Sequence, residues 1–291
     1  MEEITKLKKR SQLVTRLLKS KFFVIGFIVC MALIILSVIA PFIIVHNSKL
    51  PNLDNSLNSP QYFSKGWSGN VLGADSLGRD ILTRVLIGSR YSFIISVSTV
   101  FCAITLGVFL GLLSGYYGGW IDNLIMRFAD VQLSIPQLLL AIAIVSVLGP
   151  SIPNLIIVLI ITTWPQIARL VRSNVLVIRE MEFISASKVL GANDLWTMFF
   201  QILPNITTPL LILGSQQIGY KILVEAELSF LGLGVQPPTP SWGVMIADGR
   251  EYISNAPWVV MTPAIALIIT VVAFNFLGDG LRDALDPKMK T

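Results

Sequence analysis

Long apolar runs separated by short polar segments organise this chain. Spanning a bilayer takes about 20 apolar residues in a helix. Six runs meet that length: Phe22–Val45, Ser89–Tyr116, Asp122–Leu148 with a polar start, Pro153–Val175, Leu203–Leu231 and Trp258–Leu277. The pattern predicts an all-α, polytopic membrane protein with six transmembrane helices. One polar stretch, Met181–Pro204, interrupts it. This stretch reads as a short helix, a break at Gly191, a helical restart at Asn193-Asp194, and a proline, Pro204, that opens the fifth span. A membrane protein that keeps a small structured element on one face uses it to touch something.

Composition supports the membrane reading. The chain is 54% apolar and 13% charged, against about 25% charged in a soluble domain, and its mean hydropathy is +0.73. The formal charge of +5 does not indicate nucleic acid, because the basic residues sit at span ends rather than in a patch with aromatics. Lys6, Lys8, Lys9, Arg10, Arg16, Lys19 and Lys21 place the N-tail (1–21) in the cytoplasm. The run 22–45 is too long for a signal h-region, and Pro41 follows the only small-residue cut at Ala40, so an uncleaved first span is expected. Six spans return the C-tail (281–291, with Arg282, Lys288 and Lys290) to the same side. The loop 176–202, with Arg179 and Lys188 and with Arg169 and Arg172 beside it, lands inside, and Gly232–Pro257 lands outside. The loop 46–88 also lands outside, although Lys49, Lys65, Arg79 and Arg84 make it basic. Within it, Asp80–Gly88 is expected as an interfacial amphipathic helix, with Ile81, Leu82, Val85 and Leu86 opposite Arg79 and Arg84. The body of the protein is then 89–280.

Several chemistries are missing. The one histidine, His46, cannot supply a zinc motif or a His-dependent triad, and there is no phosphate-binding G-x-x-x-x-G-K-[ST] loop. Cys30 and Cys102 fall in apolar spans and read as small hydrophobes. Asp279 in Leu277-Gly-Asp-Gly280 lacks the second intramembrane aspartate that proteolysis would need. No catalytic residue, metal site or cofactor is expected. The second span carries Gly107-x3-Gly111-x3-Gly115, whose plain reading is close helix packing within the chain. Pro136, Pro165 and Pro209 predict bends. The fifth span holds Gln216, Gln217, Lys221, Glu225 and Glu227. Lys221 and Glu225 are spaced to pair on one face. An internal ion pair and the polar lining of a solute path are both open.

The polar stretch also resembles the cytoplasmic signature loop of permease subunits from binding-protein-dependent ABC importers. That pattern is Glu-Ala-Ala, three residues, Gly, nine residues, then Ile-x-Leu-Pro. Ser185-Ala186-Ser187 takes the first place, Gly191 the glycine, and Leu203-Pro204 the end. Ser185 replaces the acid and Gln201 the isoleucine. The long N-tail and single extra first span resemble the C-type permease of the oligopeptide, dipeptide and nickel branch, and further strings resemble that branch as a whole. They are Leu72-Gly-Ala-Asp-Ser-Leu-Gly-Arg-Asp80, Leu228–Gly243 with its Pro-Pro-Thr-Pro-Ser-Trp, and Phe274-Asn-Phe-Leu-Gly-Asp-Gly-Leu-Arg-Asp-Ala-Leu-Asp-Pro287.

The resemblance implies a type I ABC importer transmembrane fold with a cytoplasmic coupling helix, in the cell membrane of a prokaryote. It implies as partners a second related permease, two cytoplasmic ATPases and an extracytoplasmic binding protein. Phe183, Ser185, Ala186, Ser187, Leu190, Gly191, Asp194 and Pro204 would form the ATPase-coupling element. Read on residues alone, the same helix is equally an amphipathic segment at the membrane surface. Likewise, the Pro-rich loop with Pro237, Pro238, Pro240 and Trp242 is either a receiving surface for the binding protein or a lid over the span ends. An ion-coupled carrier and an intramembrane enzyme are the rival classes. Peptides, nickel or another metal chelate are all compatible as cargo.

Overall fold

The computed structural model describes residues 15, 17–43, 50–61 and 70–285. Most of the basic N-tail, His46, Lys49, Lys65, Lys288 and Lys290 lie outside the described residues. The main helices are α1 (Lys21–Ile43), α2 (Ile81–Tyr117), α3 (Gly119–Leu133), α4 (Gln137–Leu148), α5 (Ile152–Ile178), α6 (Glu182–Val189), α7 (Asp194–Trp196), α8 (Leu203–Phe230), α9 (Trp242–Gly249) and α10 (Trp258–Leu285). No strand occurs among the described residues; the only extended pairing there is an isolated bridge between Ala74 and Asp80.

Five helical stretches, α1, α2, α5, 194–230 and α10, are each long and apolar enough to cross a membrane, and the bent pair α3–α4 makes a sixth. The third span is therefore not the single rod expected over Asp122–Leu148. It breaks at Ser134-Ile135-Pro136 and turns by 93°. Pro136 cannot donate to the preceding turn and disfavours helix at the residue before it. Pro165 and Pro209 lie inside α5 and α8, which continue through them.

The segment 80–88 also departs from expectation. It is the first two turns of α2, not a separate interfacial helix. Asp80 caps α2, accepting from the Thr83 N–H at 2.8 Å. Ile81 and Val85 are buried, and so is Arg84, at 2% exposure. Arg84 turns inward because acids meet it there. Its Nε lies 3.4 Å from Asp75, and its Nη2 4.0 Å from Asp248 on α9. Arg79 Nε lies 2.7 Å from the same Asp75, whose other oxygen accepts from the Leu77 and Arg79 N–H groups. Burial raises the Asp248 carboxyl above the usual carboxylate range, against the pull of Arg84 and Arg79. Trp242 of α9 donates to the Val85 carbonyl at 3.1 Å, and Trp258 packs against Gly73. The turn 73–80, α2 and α9 are thereby joined at one end of the bundle.

The centre of the molecule is the pair α2–α5, its most extensive helix contact. A Cβ at Gly107 would stand 2.7 Å from Ile167, one at Gly111 2.6 Å from the Ala168 carbonyl oxygen, and one at Gly115 2.7 Å from Val175. The glycine stripe is thus a packing face within the chain. α1 lies outside this centre, against α10, where Gly26 faces Leu277 and Gly280 faces Phe23. Its other face presents Phe27, Ile28, Ile35 and Phe42 outward.

Gly111→Leu should push α2 off α5. Overpacking a tight core typically costs about 1–3 kcal/mol, and the missing space here is bounded by backbone. We expect a lower melting temperature for the purified protein in detergent. Phe101→Leu, at a 71% exposed site on the same helix, should leave it nearly unchanged.

Candidate functional site

The loop between α5 and α8 is built around the short helix α6. One of its residues, Ile184, is fully buried, inside the core formed by Val175, Ile178, Met198 and Ile202. That contact seats the helix. Its end follows the left-handed turn expected at Gly191, with φ +86°. The Gly191 N–H donates to the Lys188 carbonyl and the Ala192 N–H to the Ser187 carbonyl, closing the last turn. Asn193 then caps α7, accepting from the Trp196 N–H at 2.7 Å. Wide π-type turns over Thr197–Ile202 carry the chain into α8, where Pro204 sits in the first turn and needs no intrahelical donor.

Side chains lock this loop to the bundle. Tyr116, at the end of α2, donates its hydroxyl to Asp194 at 2.7 Å, and Lys188 Nζ stands 4.7 Å over the same ring. Arg179 donates to the Gly115 carbonyl at 2.8 Å. Gln201, at the motif's isoleucine position, donates to Ser187 Oγ at 2.8 Å. Two polar residues of the motif thus bind each other across the loop. Nearby, Arg172 makes a two-point contact with Asp122, which also accepts from Ser114, so α2, α3 and α5 share one carboxylate.

Seating Ile184 inward leaves the opposite face open. Phe183, Ser185 and Ala186 are exposed, and Val189 and Leu190 are each 88% exposed. The result is a firmly held knob with small residues along its flank and an apolar tip. Of the expected coupling set, Phe183, Ser185, Ala186 and Leu190 share this outer surface. Ser187, Gly191, Asp194 and Pro204 shape the loop instead. Val189, Ile184 and Tyr116 were not singled out from sequence. Val189 and Ile184 follow from helical periodicity once the buried side is known. Tyr116 is distant in sequence, and no local pattern marks it.

The expected lining of the fifth span divides. Lys221 and Glu225 are fully buried within this chain and Gln217 is 8% exposed, so in this conformation they do not face a solute. Lys221 and Glu225 are not an ion pair. Glu225 accepts from Ser92 at 2.8 Å and Ser229 at 2.7 Å, whereas Lys221 Nζ has no hydrogen-bond partner among the described residues. The serines satisfy the carboxylate first. Gln216 and Glu227 lie on the partly exposed side of α8. Gln216 reaches Asp279 at 3.3 Å. Glu227 borders an apolar cavity of about 330 Å³ with Leu138, Phe230, Ile246 and Leu267. Among the described residues no group of three His, Cys, Asp or Glu side chains is placed to hold a metal ion.

Comparison with known proteins identifies the family. Residues 107–291 match the family described as "Binding-protein-dependent transport system inner membrane component". The dipeptide transport system permease protein DppC of Alkalihalophilus pseudofirmus is 43% identical, over 95% of this chain and 89% of its own length. The di/tripeptide transport system permease protein DppC of Pseudomonas aeruginosa is 40% identical, over 91% and 88%. The glutathione transport system permease protein GsiD of Pectobacterium atrosepticum is 47% identical, over 77% and 74%. A chain of the MetNI methionine ABC transporter, solved in inward-facing conformations, shares the fold at TM-score 0.56 and 20% identity, covering 71% of this chain and 98% of its own. With its multi-pass helical body, the chain belongs to the family of inner-membrane permease components of binding-protein-dependent transport systems.

Proposed function

We propose that this permease forms half of the translocation pathway of an ATP-driven importer of di- or oligopeptides, and that α6 is the element an ATPase grips. The carrying observation is the locked knob with Val189 and Leu190 outward. A loose amphipathic helix on a lipid surface needs no such anchoring; a lever does. Ile184, Tyr116, Arg179 and Gln201 tie the knob to α2, α5 and the start of α8, so a displacement of α6 moves those helices as bodies. Small Ser185 and Ala186 let a groove close around the helix, and the apolar tip anchors it. Ser185 carries no charge, so the grip rests on shape and apolar contact.

The finer assembly follows the family pattern: a second related permease, two ATPases below, and a binding protein above. Hydrolysis belongs to the ATPases; the permease supplies the path. Both termini are cytoplasmic in this reading, with Arg169, Arg172, Arg179 and Lys188 on the same side. The basic outer loop fits, since Arg79 and Arg84 are engaged by Asp75 and Asp248 rather than free at the lipid surface. The same end, with α9 and the Pro-rich loop, is the receiving surface for the binding protein. Peptide cargo is supported by the names of the relatives, which specify dipeptides, di- and tripeptides and glutathione; nickel is not favoured.

Val189→Asp with Leu190→Asp should leave the permease folded but abolish co-purification of the ATPase and ATP-dependent peptide uptake. Normal uptake by this variant would remove α6 from the drive. Gly191→Val forces a β-branched residue into the left-handed region, at about 1–2 kcal/mol, and should reduce uptake more than it reduces membrane insertion. Tyr116→Phe removes one hydrogen bond, worth about 0.5–1.5 kcal/mol. It should lower the ratio of peptide transported to ATP hydrolysed while assembly is retained. In competition assays with the assembled transporter, unlabelled dipeptides should block uptake and nickel should not; the reverse would overturn the cargo.

A further inference from the structure

α2 has two faces built in opposite ways. Toward α5 it is dry and close, with glycines under Ile167, Ala168 and Val175. Toward α8 it sets polar side chains among apolar ones, with Ile95 in one core with Val224 and Leu228. Two contacts fix the register of that second seam. Near the outer end Ser92 donates to Glu225, and further in Gly214 faces Ile104. As residue numbers rise on α2 they fall on α8, so the helices run antiparallel. Between these contacts α2 presents Ser96 and Thr99, one and two turns inward, and α8 presents Lys221, one turn inward; Gln217 lies at the edge of the seam toward α5, where its Nε2 donates to Gln166 Oε1 at 3.0 Å.

All four are buried, with Ser96, Thr99 and Lys221 at 0% exposure. Among the described residues Ser96 Oγ, Thr99 Oγ1, Lys221 Nζ and Gln217 Oε1 have no hydrogen-bond partner. Helical hydroxyls often donate to the carbonyl one turn back, as Thr105 and Thr270 do here. Ser96 and Thr99 do not. Buried polar atoms are almost always satisfied, and four orphans in one seam call for a ligand.

We propose that bound water occupies the α2–α8 seam beside Lys221 and joins its ammonium to Ser96, Thr99 and Gln217. The donor set selects the ligand. Lys221 Nζ donates, Gln217 Oε1 only accepts, and the two hydroxyls do either. Linking them takes a small molecule that both accepts and donates. An anion would oppose Gln217 Oε1 and sit one turn from Glu225; among the described residues no group of three His, Cys, Asp or Glu side chains is placed to hold a metal ion. The Tyr220 ring, 4.9 Å from Nζ, adds cation–π contact without using a hydrogen bond. Water-bridged contacts change partners at little cost, whereas glycine packed on backbone does not. α8, which leaves the α6 loop, can therefore shift against α2 while α2 and α5 move together. That consequence rests on the docking role proposed above; the water does not.

Radiolytic hydroxyl labelling of the assembled transporter in lipid nanodiscs, read by mass spectrometry, tests the site. Radicals formed from bound water oxidise the side chains next to it. Ile95 and Val100 flank the polar pair on α2 and Ile222 follows Lys221; Ile167 and Val171 are matched residues in the dry seam. We expect the first group to label severalfold faster than the second. Equal rates in the wild-type complex would overturn the proposal, whether or not any variant assembles. Lys221→Leu combined with Ser96→Ala should bring the first group down to the dry-seam rate; unchanged labelling would also overturn it. Labelling that falls when chloride is replaced by gluconate would assign an anion instead of water. Peptide uptake, measured in parallel, reports on the docking role separately.

Discussion

The close approach of α2 and α5 is the constraint on which the rest of the molecule depends. In lipid, apolar side chains gain little by leaving one apolar environment for another, so helices associate through tight packing. Gly107, Gly111 and Gly115 let two backbones come within contact of each other along three consecutive turns. That seam runs to Tyr116 and Val175, and the signature loop begins where it ends. Arg179 closes on the Gly115 carbonyl, and Tyr116 on Asp194. The position of α6 is thus set by the register of a helix pair that α6 itself does not belong to.

The opposite end of the bundle is organised by charge instead. Asp75 collects two arginines, one of them on α2, and two backbone donors. Buried ion pairs gain little net stability but hold geometry firmly when all partners are present. Glu225 does similar work one layer further in, bridging Ser92 of α2 and Ser229 of α8, while Ser229 Oγ accepts from the Val235 N–H of the outer loop. A change at this end therefore reaches α2 and α8 through polar contacts, whereas a change at α6 reaches α2 and α5 through the packing of Ile184 and the hydrogen bonds of Tyr116 and Arg179.

Much of this was legible from sequence, and the limits have physical causes. Helical spans are readable because the bilayer imposes length and apolarity on every one of them. The signature loop was readable because Gly191 and Asn193 have conformational roles that few residues can fill. The bend at Pro136 was not, since Pro165 sits in an equally apolar run and leaves α5 whole; local composition does not say which proline breaks a helix. Arg84 looked like a surface residue because its partners, Asp75 and Asp248, lie on other elements. Lys221 and Glu225 looked like a pair because spacing along one helix is visible, while the serines of α2 that claim the carboxylate are not. Gln201 read as a departure from a pattern until the fold brought Ser187 to it.

The placement of α1 has a consequence for how the protein is made. α1 packs mainly against α10, far from it in sequence, with Gly26 under Leu277 and Phe23 under Gly280. Nearly the whole chain must be inserted before that contact can form. Until then α1 has only its lesser contact with α2, where Cys30 joins the core of Ile81 and Phe93, to hold it. A chain cut short before α10 leaves the glycine notch of α1 open to lipid.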